Sequence, residues 1–214
     1  MPGHRPAPGL DAQKKSLIAA ERDEDARAAW RERVAEVAPE RFVFVDETGS
    51  HLGLTRLYSR APRGERAVGR APRNRGRTRT AVTSLTLGGV GAGLLVEGGI
   101  STAGFEAYVG HILAPTLRPG QIVVMDNLRQ HQGARVRELI EARGAELWFL
   151  PSYSPDLNPI EEAFSKLKAL LRDAAARTHE ALAAAIWSAR AAITPADARG
   201  YFEHAGYPAR GQLT

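Results

Sequence analysis

The chain contains no cysteine, so disulfides, thiolate zinc sites and a cysteine nucleophile are all excluded, which fits a cytoplasmic protein. Lysine is almost as scarce: of 29 basic residues only Lys14, Lys15, Lys166 and Lys168 are lysines, and the rest are arginines. No long apolar run is present. The longest uncharged stretch, Thr80 to Val96, is broken by glycines and hydroxyl residues and is too short to span a bilayer, so no membrane segment is expected. The opening MPGHRPAPGL lacks the apolar core of a signal peptide. The GGVGAG run within the uncharged stretch departs from dinucleotide-binding glycine spacing, and no helix pattern comes after it, so a phosphate loop is disfavoured against a hairpin.

At 214 residues and 43% hydrophobic content, the chain can bury a sizeable core. Its charge is uneven. The net value is +5, yet Arg56, Arg60, Arg63, Arg66, Arg70, Arg73, Arg75, Arg77 and Arg79 face only Glu65 within their segment, leaving the remainder slightly acidic. Positive charge gathered on one segment is the footprint of phosphate-backbone binding, because each neutralised phosphate releases condensed counterions. An arginine-biased composition on a solvated loop is the competing account. Lys166 and Lys168 are further candidates for a phosphate contact, with a solvated helix face as the alternative.

Hydrophobic periodicity divides the chain. Residues Asp11 to Val37 predict one long charged helix, a lead-in to the first strand. Arg41 to Val45, RFVFV, predicts a buried strand with Asp46 at its exit. Strands are expected near Thr55 to Ser59, Thr78 to Leu87 and Gly93 to Glu97, forming an antiparallel meander. Ser101 or Thr102 then caps a helix through Leu113. The pattern next changes to alternation: QIVVM is a strand buried on both faces and ends at Asp126, Gly133 to Gly144 is helical, and ELWFL is a further strand. A loop from Pro151 to Pro159 leads to a helix bearing Glu161, and helices near Glu180 to Ile193 and Pro195 to His204 close the chain.

Asp46, Asp126 and Glu161 are the candidate catalytic and metal-ligating residues. Side chains just past the carboxyl ends of neighbouring strands converge on one crevice, and crowded carboxylates repel unless cations neutralise them. Ordinary turn chemistry is the alternative for either aspartate alone. For Glu161 the alternative is sharper. With Asn158 as helix cap and Pro159 first, Glu161 stands third, where a capping-box glutamate belongs. Glu47 and Glu162 are assigned to solvent or local pairing, and Asn127 and His131 to supporting positions around Asp126.

The motifs VFVDETG, VVMDNLRQH and LPSYSPDLNPIEEAFSKLK occur in that order, and 34 residues separate Asp126 from Glu161. Together they resemble the catalytic domain of mariner-superfamily transposases, in the bacterial insertion-sequence six-thirty branch, over about Arg41 to Tyr207. RLYSRAPRGER and YFEHAGY look like family sequence as well. The resemblance implies an α/β, ribonuclease-H-like mixed sheet flanked by helices, with residues 1–40 as a helical lead-in, 41–207 as the Asp-Asp-Glu catalytic domain and 208–214 as a tail. It further implies two Mg²⁺ ions, replaceable by Mn²⁺, held by Asp46, Asp126 and Glu161, and cut-and-paste transposition of an insertion sequence into a TA step. DNA is the implied partner, with a homodimer on DNA and a helix-turn-helix partner from an upstream frame, since only about forty residues precede Asp46. A non-catalytic DNA-binding remnant and a stand-alone ribonuclease-H-like nuclease are the alternatives.

Overall fold

The computed structural model describes residues 19–127 and 131–208. Five strands form one mixed sheet in the order β3-β2-β1-β4-β5: β1 Phe42–Ser50, β2 Arg79–Thr86, β3 Gly89–Glu97, β4 Ile122–Met125 and β5 Glu146–Phe149. Strand β2 runs antiparallel to both of its neighbours, β1 and β3, while β1, β4 and β5 are parallel. The expected meander and the later alternation of strand and helix therefore meet on β1. No strand forms at Thr55 to Ser59. That segment belongs to an exposed, arginine-studded connection between β1 and β2, where no neighbouring edge offers hydrogen-bond partners and like charges oppose pairing.

Alternation along the central strands divides the core into two layers. Phe42, Phe44, Ile122 and Val124 point to one face, and Val43, Val45, Val123 and Met125 to the other. The first face is covered by α1 Glu24–Ala35, α4 Pro159–Ala174, α5 His179–Ala191 and α6 Pro195–His204. The second is covered by α2 Thr102–Tyr108 with the π-turn Val109–Leu113, and by α3 Ala134–Glu141. The hydroxyl of Ser101 caps α2 as expected, and Pro115 lies in the 3₁₀ turn that ends this helical run.

The N-terminal helix is shorter than the expected Asp11 to Val37. The carboxylate of Asp23 accepts from the amide of Ala26 and starts α1 at Glu24, and positions 11–18 lie outside the described residues. It is also more than a lead-in, since Trp30 and Val34 are buried among the apolar residues of α4 and α6. The glycine run between β2 and β3 makes a hairpin, with Gly89 at φ +106°. A side chain at Gly93 would come within 2.8 Å of the Val82 carbonyl, so these glycines serve close strand contact.

The helix α4 ends at Ala175, a non-glycine residue with φ 46° and ψ 42°. Left-handed backbone at an L-residue costs about 1 kcal/mol relative to glycine. Ala175→Gly is therefore expected to raise stability by about 1 kcal/mol, read as a higher denaturant midpoint at unchanged slope.

Candidate active site

The site is assembled where β1 and β4 run side by side. Their parallel register pairs Phe44 with Val124, so Asp46 and Asp126 stand two residues further along adjacent strands, with side chains on the α4 face. Asp126 comes directly after the last residue of β4, as expected. Asp46 does not sit at a strand exit: β1 continues to Ser50, and Asp46 lies opposite Thr83 of β2. The extension arises because β2 supplies ladder partners for β1 beyond the point where β4 ends.

Glu161 comes from the first turn of α4 and completes the arrangement. Asp46, Asp126 and Glu161 all line one cavity of about 380 Å³, together with Asn127, Tyr153, Ser154 and Asn158. Glu161 also borders an adjoining cavity that includes Arg31, Glu162 and His204.

The capping account of Glu161 gives way to a different use of its neighbour. Asn158 precedes α4, yet its side chain caps nothing. Instead its amide donates to Asp46 Oδ2 at 2.9 Å, while Asp46 Oδ1 accepts from the Glu47 amide at 2.7 Å. Asn158 Oδ1 is buried without a protein partner. Asparagine fits a helix cap so well that nothing in the local sequence marked it as a tether for a carboxylate 112 positions away.

Asp46 is only 8% exposed. Burial raises its carboxyl to about 7, against the opposing pull of the Glu47 amide, and the nearby Glu161, Asp126 and Glu47 charges push in the same direction as burial. A carboxylate in this situation is stabilised by a cation.

His131 is fully buried and faces carboxylates through both ring nitrogens: Nδ1 is 2.5 Å from Asp126 Oδ1 and Nε2 is 3.1 Å from Glu47 Oε1. Its ring lies 4.3 Å from that of Phe105. Burial alone would lower the imidazole, but hydrogen bonds to Asp126 and Glu47 outweigh it and raise the group to about 9. Glu47 departs from its expected place in solvent or local pairing. One residue beyond Asp46 on a strand, it points to the opposite face, and it pairs with a buried histidine 84 positions away. Glu162 pairs with His204 of α6 at the edge of the adjoining cavity. Asn127 is exposed, and its Oδ1 accepts from the side chain of Gln132.

A divalent cation fits this donor set in three respects. All three acids are hard oxygen donors around one cavity, the buried Asp46 carries an electrostatic penalty that a cation removes, and Asn158 Oδ1 is an unsatisfied buried acceptor at the cavity wall. The carboxylates ring the cavity without closing on a point. Among the described residues, no three His, Asp or Glu side chains stand close enough together to hold an ion.

The basic residues divide into two groups. Arg56 is paired with Asp173, and Arg77 and Arg79 with Glu97. Arg60, Arg63, Arg66, Arg70, Arg73 and Arg75 are exposed and make no ion pair among the described residues. Lys166 is held by Asp197 at 2.7 Å, and Lys168 is half-buried on α4. No helix of the described residues is long and apolar enough to cross a membrane.

The family model described as DDE superfamily endonuclease matches residues 41–183. Among solved structures, the fold is similar to a "Mos1 transposase paired-end complex with left transposon end", at 18% identity and a TM-score of 0.75, covering 93% of this chain and 64% of that one. It is similar also to the "Mos1 mariner paired end complex with Mn", at 19% identity and a TM-score of 0.70 over 93% of this chain and 64% of that one. The "catalytic domain of Mos1 mariner transposase" matches at 17% identity and a TM-score of 0.57, over 86% of this chain and 87% of that one. At such identities the likeness is one of fold: a ribonuclease-H-like mixed sheet flanked by helices. The chain spans 64% of the length of the paired-end complex chains. No curated protein matches the sequence.

Proposed function

Because this chain belongs to the DDE superfamily endonucleases, we propose that it is the catalytic domain of a transposase that cuts element ends and joins them to target DNA with Asp46, Asp126 and Glu161. One observation carries the reading: three acids from β1, the end of β4 and the start of α4 line a single cavity. A remnant that only binds DNA has no use for a buried aspartate held in place by Asn158.

Divalent cations held by the three acids would supply Lewis-acid stabilisation of the attacking and leaving oxygens in an in-line displacement at phosphorus. Mg²⁺ is the expected ion, two per site, with Mn²⁺ as a substitute; solved relatives carry each metal by name. The protein's own contribution is positioning. Asn158 fixes Asp46 from one side, and the Glu47 amide fixes it from the other. Proline at the first position of α4 presets the backbone turn that delivers Glu161 to the cavity rim.

DNA is the proposed substrate, in two copies of an element end and one target bearing a TA step. Joining two ends calls for a dimer on DNA, and sequence recognition would come from a helix-turn-helix partner. The residue range 41–207 is proposed as the catalytic unit, with α1 packed against it.

The test is a labelled element-end duplex with metal added or withheld. Metal-dependent nicking, with strand-transfer products from a pre-cut 3′ end, supports the transposase; nicking without joining supports a stand-alone nuclease, and salt-sensitive binding alone supports the remnant.

The exposed arginines give a separate expectation. If Arg60, Arg63, Arg66, Arg70 and Arg73 each touch one phosphate, replacing all of them with serine reduces the magnitude of the slope of log affinity against log salt by about 4.5, since each duplex contact contributes about 0.9. An unchanged slope in a salt titration would mean that the segment is merely solvated.

A further inference from the structure

Glu47 and His131 stand behind the cavity rather than in it, yet they reach one of its acids. Three separate elements contribute to the link. Glu47 projects from the α2 and α3 face of the sheet, Phe105 from α2 covers the imidazole, and His131 lies beyond the end of β4. All three converge on a ring with no exposed surface. Nothing about sheet packing requires a histidine there, since an apolar residue would fill the same space beside Phe105 without desolvating a polar ring. The two carboxylates decide what the ring does. With Nδ1 2.5 Å from Asp126 Oδ1 and Nε2 3.1 Å from Glu47 Oε1, the ring is held from both sides and locked in one orientation between the two carboxylates.

We infer that the Glu47–His131 pair is a positioning device that pins Oδ1 of Asp126 and thereby sets which divalent cation the cavity prefers. This rests on the proposed metal centre and adds to it a determinant of ion choice. The physical reason is coordination geometry. Magnesium demands near-octahedral placement at about 2.0–2.1 Å and tolerates little rearrangement, whereas calcium accepts six to eight oxygens at about 2.3–2.6 Å and takes carboxylates through one oxygen or both. A carboxylate with one oxygen held by a fixed donor cannot rotate to offer both oxygens symmetrically. Pinning therefore favours the smaller, stricter ion. Losing the His131 contact lifts that restraint on Oδ1 and makes chelation through both oxygens easier, which suits the larger ion.

His131 and Glu47 touch neither DNA nor ion in this account; they act through Asp126. Asparagine and glutamine separate the two halves of the link. At position 131 the asparagine amide reaches about where Nδ1 lies and can still donate to Asp126, whereas glutamine reaches about where Nε2 lies and meets Glu47 instead.

The experiment is calorimetric titration of the full chain, without DNA, with magnesium and with calcium, for wild type, His131→Asn, His131→Gln, His131→Ala and Glu47→Ala. Thermal midpoints are measured on the same samples. His131→Gln and His131→Ala are expected to lose about tenfold in magnesium-over-calcium preference, at the lower end of what supporting residues contribute to metal affinity. Glu47→Ala is expected to move the preference in the same direction, and His131→Asn, which keeps a donor to Asp126 but loses the Glu47 contact, to lose clearly less of the preference than His131→Gln. A purely structural histidine would lower the thermal midpoint in all four variants and leave the ratio untouched, which would overturn the inference. Equal loss of preference in His131→Asn and His131→Gln would overturn it as well. Wild-type protein that takes up neither ion would fail earlier, at the metal centre itself, and that outcome is distinct from an unchanged ratio among variants that do bind.

Discussion

Asp126→Asn is expected to abolish metal-dependent cleavage of element-end DNA, by at least about a thousandfold, while leaving the fold intact. Removing a single group that organises transition-state charge commonly costs about 10²–10³ in rate, and an acid that would hold a catalytic cation should cost more than one such donor. The substitution keeps the volume and removes only the charge and one acceptor oxygen. Asp126 is partly exposed at the end of β4, outside the strand ladder, and the amide oxygen can still face His131, so the stability lost with the charge should be modest beside the loss of activity. Asp46→Asn is a less clean test. That residue is buried and accepts from Asn158, and two facing amides would strain the tether as well as remove the charge. Glu161→Gln lies at the exposed first turn of α4 and should reproduce the Asp126 result. The measurement is cleavage under single turnover with manganese and with magnesium, alongside the thermal midpoint. Activity within tenfold of wild type in both Asp126→Asn and Glu161→Gln would sink the catalytic assignment.

The second large effect concerns α1, the helix ahead of β1. Arg27 of α1 is fully buried and makes a two-pronged contact with Asp156, at 2.9 and 2.6 Å, in the turn just before Asn158. Trp30 of the same helix donates to the Tyr207 hydroxyl, which in turn donates to the Leu157 carbonyl. The segment carrying Asn158 and leading to Glu161 is thus clamped from α1. Asp156→Ala should destabilise the protein by about 2–3 kcal/mol, because it leaves a buried guanidinium with the exposed Glu24, 3.4 Å from Nε, as its remaining ionic partner among the described residues. Arg27→Met should cost less, about 1–2 kcal/mol: the carboxylate it leaves behind is half exposed and can hydrate, while methionine fills most of the space. Urea unfolding of the two variants checks that order, and equal costs would contradict it.

Acid exposes the same pair. The Arg27 guanidinium holds the Asp156 carboxyl below its ordinary value, against the smaller opposing effect of burial. A depressed carboxyl contributes stability that is fully present above the unfolded value, near about 4, and is lost as pH falls through the folded one. The difference in unfolding free energy between wild type and Asp156→Ala should therefore narrow below about pH 4.

Much of this molecule was written into local sequence. The apolar runs RFVFV, QIVVM and ELWFL became β1, β4 and β5, because contiguous apolar β-formers have few stable placements other than a sheet covered on both faces. The order of the VDETG, MDN and LNPIEE motifs carried the family, and chain direction alone put Asp126 at a strand end. The shorter α1 and the absent strand at Thr55 to Ser59 mark the limit of such reading: periodicity and propensity do not reveal whether a partner edge exists.

Tertiary structure decided everything that depends on distance through space. It extended β1 past Asp46 by giving it β2 as a partner, and it turned Asn158 from a helix cap into a tether. It also sent Glu47 through the sheet to a histidine that only the folding of the chain beyond β4 could bring there. Residue identity fixes what a side chain can donate or accept, and strand parity fixes the face on which it emerges. Which group waits on that face is set by packing among segments distant in sequence, and no local pattern encodes it.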